Sequence, residues 1–266
     1  MLDRFNRKIN YLRISVTDKC NLRCVYCMPE EGVKLLGHSD IITFEEILEV
    51  IKEAIKLGIN KIRITGGEPL IRKGIINLVS MIAEIKGIDD LSLTTNGVLL
   101  EDYAIPLYNA GLKRINISLD TLDTEKYKSI TRGGDINKVL KGIEKAKETG
   151  FIPIKINCVI KKSSDEKDAQ MVAEFCKKNN LFIRYIHTMN LKNGVFTTVE
   201  GGSGGDCINC NRLRLTANGK IKPCLFNDIE FDIRQSGIKK ALKEALTNKP
   251  EYGTHNDINR FYNIGG

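Results

Sequence analysis

The chain has 266 residues, 42% hydrophobic and 28% charged, a globular balance that excludes a wholly disordered polypeptide and suits one to two domains. Its 41 basic and 33 acidic side chains leave a formal net charge of +8; no basic stripe with interleaved aromatics accompanies it, so nucleic acid is not an expected partner, whereas cations converging in a cleft would suit a phosphorylated substrate. No apolar run reaches the roughly 18 residues of a spanning helix, and the opening MLDRFNRKIN lacks the apolar centre of a signal peptide, so a soluble cytoplasmic protein with no membrane partner is expected.

Residues 11–17 alternate apolar and polar side chains as a strand does. A helix over 43–57 follows, with Phe44, Ile47, Leu48, Ile51 and Ile55 on one face, a Thr43–Glu46 capping box at its start and Gly58 at its end. Next come a strand at 61–65, a helix at 74–85, a strand at 91–95, a helix at 101–110 and a strand at 114–119. A helix over 136–149, capped by Asp135 and closed by Gly150, leads to a strand at 154–160, a helix at 165–178 and a strand at 182–186. Such alternation predicts βαβ units and a parallel sheet. Six units are too few for an eightfold barrel, so the expected fold class is α/β, an open partial (βα)6 barrel of TIM-like type with a small C-terminal extension.

Residues 190–205 have no helical period and end in Glu200-Gly201-Gly202-Ser203-Gly204-Gly205, which reads as a flexible linker or loop, native or inserted. Beyond it, Ala217-Asn218-Gly219 between runs at 212–216 and 220–225 predicts a hairpin, and a helix over 237–246 follows. The expected organisation is a barrel over 1–189, a Gly-rich connection over 190–206, and an extension over 207–266 ending in Gly265-Gly266.

Six of the eight cysteines fall into two clusters. Cytosolic thiols stay reduced, so clustering points to metal rather than disulfides. Cys20, Cys24 and Cys27 form C-x3-C-x2-C just after the first strand. Soft thiolates select zinc, copper(I) or iron–sulfur, and structural zinc wants four closed ligands. Three thiolates without a near fourth suit a [4Fe–4S] cluster with one iron open; zinc with a distant ligand, or inert buried thiols, are the alternatives. Cys207, Cys210 and Cys224 form C-x2-C-x13-C, and the predicted hairpin brings Cys224 back beside the other two. Zinc completed by His187 or His255 is the alternative there. Cys158 and Cys176 read as core packing.

The run DKCNLRCVYC over 18–27 resembles the signature of the radical S-adenosylmethionine (SAM) superfamily, and Gly66-Gly67-Glu68-Pro69, after the second strand, resembles its GGEP segment. With the second triad, Leu93-Thr94-Thr95-Asn96-Gly97, Asn116-Ile117-Ser118-Leu119-Asp120, Cys210-Asn211-Arg212-Leu213-Arg214-Leu215 and the terminal Ile264-Gly265-Gly266, the chain is similar to the GTP 3′,8-cyclase family of molybdenum cofactor biosynthesis. The resemblance implies a radical SAM barrel and two [4Fe–4S] clusters, a SAM-binding one on Cys20, Cys24 and Cys27 and a substrate-binding one on Cys207, Cys210 and Cys224. It implies SAM contacts at Tyr26, Gly67, Ser118 and Met189, and GTP contacts at Arg13, Arg63, Thr94, Lys155, Arg184, Arg212 and Arg214. Gly265 and Gly266 would support catalysis. The implied reaction is a lyase reaction: a 5′-deoxyadenosyl radical from SAM takes the 3′ hydrogen of GTP, the ribose radical attacks C8 of guanine, and a further reduction gives (8S)-3′,8-cyclo-7,8-dihydroguanosine 5′-triphosphate. Implied partners are GTP, a reductant protein such as a flavodoxin or ferredoxin, and the next enzyme, cyclic pyranopterin monophosphate synthase; a homodimer is compatible.

One departure stands out. Only 22 residues separate Arg184 from Cys207, where the family carries a much longer connection. That keeps open a two-cluster radical SAM enzyme acting on a different nucleotide or on a peptide. From another class, a zinc-stabilised nucleotide-binding regulator also fits the cysteines alone.

Overall fold

The computed structural model describes residues 1–264. Six parallel strands, β1 (Tyr11–Ser15), β2 (Lys61–Thr65), β3 (Asp90–Thr95), β4 (Arg114–Ser118), β5 (Ile154–Ile160) and β6 (Phe182–His187), lie in sequential order. The helices that cross between and beyond them are α1 (Phe44–Lys56), α2 (Ile75–Ala83), α3 (Leu100–Asn109), α4 (Thr124–Thr131), α5 (Ile136–Thr149) and α6 (Lys167–Lys178). After the connection come β7 (Arg212–Leu215), β8 (Lys220–Lys222), β9 (Phe231–Asp232), α7 (Ile233–Ser236), α8 (Ile238–Thr247) and α9 (Phe261–Ile264).

Local chemistry explains the boundaries. Thr43 caps α1 in a reciprocal capping box with Glu46, and Asp135 and Gly150 close the two ends of α5. The polar helix α4 escapes the sequence pattern because it buries only Tyr127 and Thr131; its start is fixed by the Asp123 cap instead.

Strands of a parallel sheet covered on both faces normally read as continuous apolar runs. These alternate. In β5, Ile154, Ile156, Cys158 and Ile160 are buried while Lys155, Asn157 and Val159 are half-buried. One face of the sheet packs Leu12, Ile14, Ile62, Ile64, Leu93, Ile115 and Ile156 into a single core. The other face is polar, and register makes it cationic: Arg13 lies opposite Arg63 of β2 on one side and Arg214 of β7 on the other.

The predicted hairpin is β7 paired antiparallel to β8. Its placement was not predicted: β7 adds in parallel to the free edge of β1, giving the order β6-β5-β4-β3-β2-β1-β7-β8-β9. The stretch expected to be a flexible linker or loop is a loop with tertiary contacts of its own. Asn190 bridges Val195, Tyr185 bridges Glu200, and Leu191 forms a small second core with Phe226 and Ile264. Phe196 stacks on Phe226 with ring centroids 4.2 Å apart. Residues 190–200 therefore pack on the second-triad segment, which is why their sequence shows no period of its own.

Candidate active site

The polar face of the sheet opens into a cavity of about 360 Å³ that is lined by all six clustered cysteines. The first triad sits on the loop after β1. That loop is tied to the segment after β2: Gly67 N donates to Thr17 O (2.7 Å) and Glu68 N to Lys19 O (2.8 Å). A Cβ on Gly67 would lie 2.2 Å from Lys19 O, so only glycine allows this approach.

Glu68 anchors the arrangement from beneath. It is wholly buried; Oε1 accepts from Leu70 N (3.0 Å) and Thr95 Oγ1 (2.8 Å), and Oε2 from Asn96 N (2.7 Å). Asn96 Nδ2 in turn donates to Asn21 Oδ1 at 2.7 Å, beside Cys20. Burial pushes the Glu68 carboxyl up to about 7, against the three hydrogen bonds that pull it down. The unfolded value is 4.5, so the folded state holds the proton more tightly. Its stabilising contribution is full below pH 4.5 and is lost as pH rises through 7. In urea titrations, Glu68→Gln will gain about 3 kcal/mol on wild type between pH 4.5 and pH 8; a pH-independent difference would show that this carboxyl is ionised throughout.

Tyr26 Oη donates to Asp120 Oδ2 (2.7 Å), and Asp120 Oδ1 accepts from Val159 N (2.8 Å), so the cysteine loop is also tied to the ends of β4 and β5. Burial pushes Cys24 and Cys27 each up to about 12; Asp120 and Cys20 add to the first, Cys24 and Cys20 to the second. Free, these thiols stay protonated at neutral pH. Holding three as thiolates in this pocket requires a cation among them.

The second triad faces the same cavity. Cys207 is positioned by Arg7, whose guanidinium donates to Cys207 O (2.8 Å) and pairs with buried Asp3 (2.7 Å). Burial raises the Cys210 thiol, but Lys249 and Arg212 outweigh it and the net shift is down. All six thiols are free, half-buried and face the cavity, three to a group; three soft thiolates suit an iron–sulfur centre with one iron left to a further ligand, whereas structural zinc closes on four. The proposed extra zinc ligands are engaged elsewhere: His187 pairs with Glu200 (3.2 Å) and His255 stands with Asp228 and Asp257.

Between the triads lies the arginine group. Burial lowers Arg13 well below its usual value, with Arg214 adding, and lowers Arg184 and Arg214 to about 10, with Arg63 adding to the first and Arg212 to the second. Among the described residues Arg63 reaches Ser92 Oγ (3.2 Å), Arg184 reaches Asn116 Oδ1 (3.3 Å) and Arg212 reaches Ser203 O (2.7 Å), all uncharged. Arg184 Nε, Arg212 Nε and Thr94 Oγ1 are buried without a hydrogen-bond partner. Buried donors left open beside converging guanidiniums suit a polyanion that accepts from all of them.

Ser118, Met189, Tyr26 and Gly67 line the same cavity, as do Arg13, Arg63, Thr94, Arg184, Arg212 and Arg214. Lys155 stands outside the lining, its Nζ 5.8 Å from the centre of the Phe182 ring. Gly265 and Gly266 lie outside the described residues. Sequence reasoning did not give Glu68, Asn96 and Asp120 roles, although each sits inside a quoted motif just past a strand end; that position was the available signal.

A family model described as the Radical SAM superfamily matches residues 14–176. A GTP 3′,8-cyclase of Thermodesulfovibrio yellowstonii is 44% identical, with 94% of this chain and 95% of the relative covered. One of Peptoclostridium acidaminophilum is 40% identical over 100% of this chain and 98% of the relative. The chain belongs to the GTP 3′,8-cyclase family of radical SAM enzymes. The fold agrees: Streptococcus suis SuiB bound to S-adenosylmethionine superposes with a TM-score of 0.68 at 18% identity, covering 92% of this chain and 67% of SuiB. Native anSMEcpe with bound AdoMet gives 0.62 at 19% identity, covering 90% and 81%. This member of the family is short. The match to the Peptoclostridium relative spans 319 positions against the 266 residues here, so more than fifty have no counterpart. Among the described residues no helix is long and apolar enough to cross a membrane.

Proposed function

We propose that this chain is a GTP 3′,8-cyclase acting in the cytoplasm, organised as a barrel over 1–189, a connection over 190–206 and a cluster-binding extension over 207–266. The observation that carries the reading is the single cavity with a cysteine triad at each side and open arginine donors between them. Cys20, Cys24 and Cys27 would hold one [4Fe–4S] centre, which would supply the electron for SAM cleavage, and Cys207, Cys210 and Cys224 would hold a second, which would supply a Lewis-acidic iron for the substrate.

The protein's own groups do the rest. Arg63, Arg184 and Arg212, with Arg13 and Arg214, hold the triphosphate, while Thr94 Oγ1 offers a neutral hydrogen bond and Lys155 contributes charge from behind the wall. Gly67, Ser118, Met189 and Tyr26 hold SAM on the opposite side. A radical must meet its target hydrogen at about 3–3.5 Å with water excluded, and a pocket walled by a triad on each side serves the first need. Gly265 and Gly266 would complete it. A flavodoxin or ferredoxin supplies electrons, and cyclic pyranopterin monophosphate synthase takes the product onward.

The test is anaerobic reconstitution with iron and sulfide, then SAM, GTP and reductant, with mass analysis of the nucleotide. The expected result is 5′-deoxyadenosine together with a cyclised nucleotide that oxidises to a pterin. The missing fifty positions favour one other reading, a two-cluster enzyme for a different nucleotide or a peptide. Deoxyadenosine released beside intact GTP would establish that reading and overturn the first.

A further inference from the structure

Lys249 follows α8 and is 1% exposed. Burying an ammonium costs several kcal/mol unless something compensates it. Its Nζ donates to Arg212 O (2.9 Å) and Pro223 O (2.6 Å), which are neutral acceptors, and among the described residues no carboxylate pairs with it. The two acceptors are informative by position. Arg212 lies two residues after Cys210, and Pro223 immediately precedes Cys224. The ammonium therefore sits between the two backbone arms that carry the second triad. It does not line the cavity, so substrate contact does not explain it. The thiols of Cys210 and Cys224 stand on the two arms that the ammonium joins, and Cys210 is itself in hydrogen-bond contact with the Lys249 side chain.

We infer that Lys249 is a positioning residue and fixed charge partner of the centre held by Cys207, Cys210 and Cys224, clamping the arms of the triad and favouring the reduced, more negative state of that centre. Three thiolates with sulfide accumulate negative charge, and each added electron increases it. A buried cation a few ångströms away offsets that charge without exchanging with solvent. This inference rests on the two-cluster reading above.

The test compares wild type with Lys249→Met, of similar volume and no charge, and Lys249→Arg, which keeps the charge. Iron and sulfide are counted, and the midpoint potential of each reduced centre is measured by paramagnetic resonance during a redox titration. Cys224→Ser identifies which signal belongs to the second triad, and the first triad's centre is the internal control. Lys249→Met is expected to move the second potential downward, or to lose that centre, with the first unchanged; Lys249→Arg is expected to move it less. Equal shifts in Met and Arg variants, or none in Lys249→Met, would overturn the inference. If Lys249→Met does not fold, Lys249→Gln, which keeps an N–H donor without charge, carries the same comparison. Failure of the underlying reading looks different: wild type itself would then show only one iron–sulfur centre.

Discussion

Gly67→Ala will cut SAM cleavage by at least about 100-fold. The new methyl carbon would lie 2.2 Å from Lys19 O, 2.6 Å from Lys19 C and 2.9 Å from Asp18 O. All three are backbone atoms, so no flexible side chain can yield. The segment after β2 must retreat, and the hydrogen bonds from Gly67 N to Thr17 O and from Glu68 N to Lys19 O stretch with it. Cys20 is the next residue after Lys19, so the displacement passes straight into the first triad. A misplacement of about 1 Å costs reaction rates roughly 100-fold, and overpacking adds about 1–3 kcal/mol of destabilisation. Iron per chain and deoxyadenosine release measure the effect. Gly32→Ala is the comparison: its φ is +88° but nothing lies within 4 Å of the new carbon, so it costs about 1 kcal/mol of stability and leaves cleavage intact. Equal activity in the two variants would show that the Gly67 contact does not position the cysteines.

Cys224→Ser will separate the two halves of the chemistry. A hydroxyl is a poor substitute for a soft thiolate, so the second centre should not assemble, and GTP consumption should fall by more than the about 100-fold that loss of an outer partner costs. The first triad stands on its own loop after β1, with anchors at Glu68, Asn96 and Asp120 that do not touch the second triad. SAM cleavage without GTP turnover should therefore persist. Cys24→Ser, by contrast, should lose both activities. If Cys224→Ser still consumes GTP at the wild-type rate, the second triad has no part in the reaction.

Strand positions were legible in the sequence because the sheet has one greasy and one polar face. Residues 61–65 and 154–160 alternate since Arg63, Lys155 and Asn157 look away from the helices. The capping box of Thr43 and Glu46 is local and was equally plain. The addition of β7 to β1 was not, since nothing near Arg212 or Tyr11 encodes a partner two hundred residues away. The packing of the connection was hidden for the same reason: Leu191 and Phe196 are ordered by Phe226 and Ile264, not by their neighbours. Of the site, the cysteines were visible by type and spacing, whereas the arginines came only through the family resemblance. Lys249 was not visible, because a lone lysine before Pro250 has no local signature and acquires its meaning only from the carbonyls that surround it.

The pairing of β1 with both β2 and β7 has a consequence for how the molecule is made. On the ribosome β1 emerges early and can join β2 within about fifty residues, so the loop of the first triad can gain its ties at Gly67 and Glu68 while synthesis continues. Its other edge stays bare until β7 arrives, after roughly two hundred residues, and closing so long a loop is entropically slow. Assembly is thus staged: the loop of the first triad gains its earliest ties long before the second triad is made, and the half-built chain carries an unprotected strand edge through most of its translation.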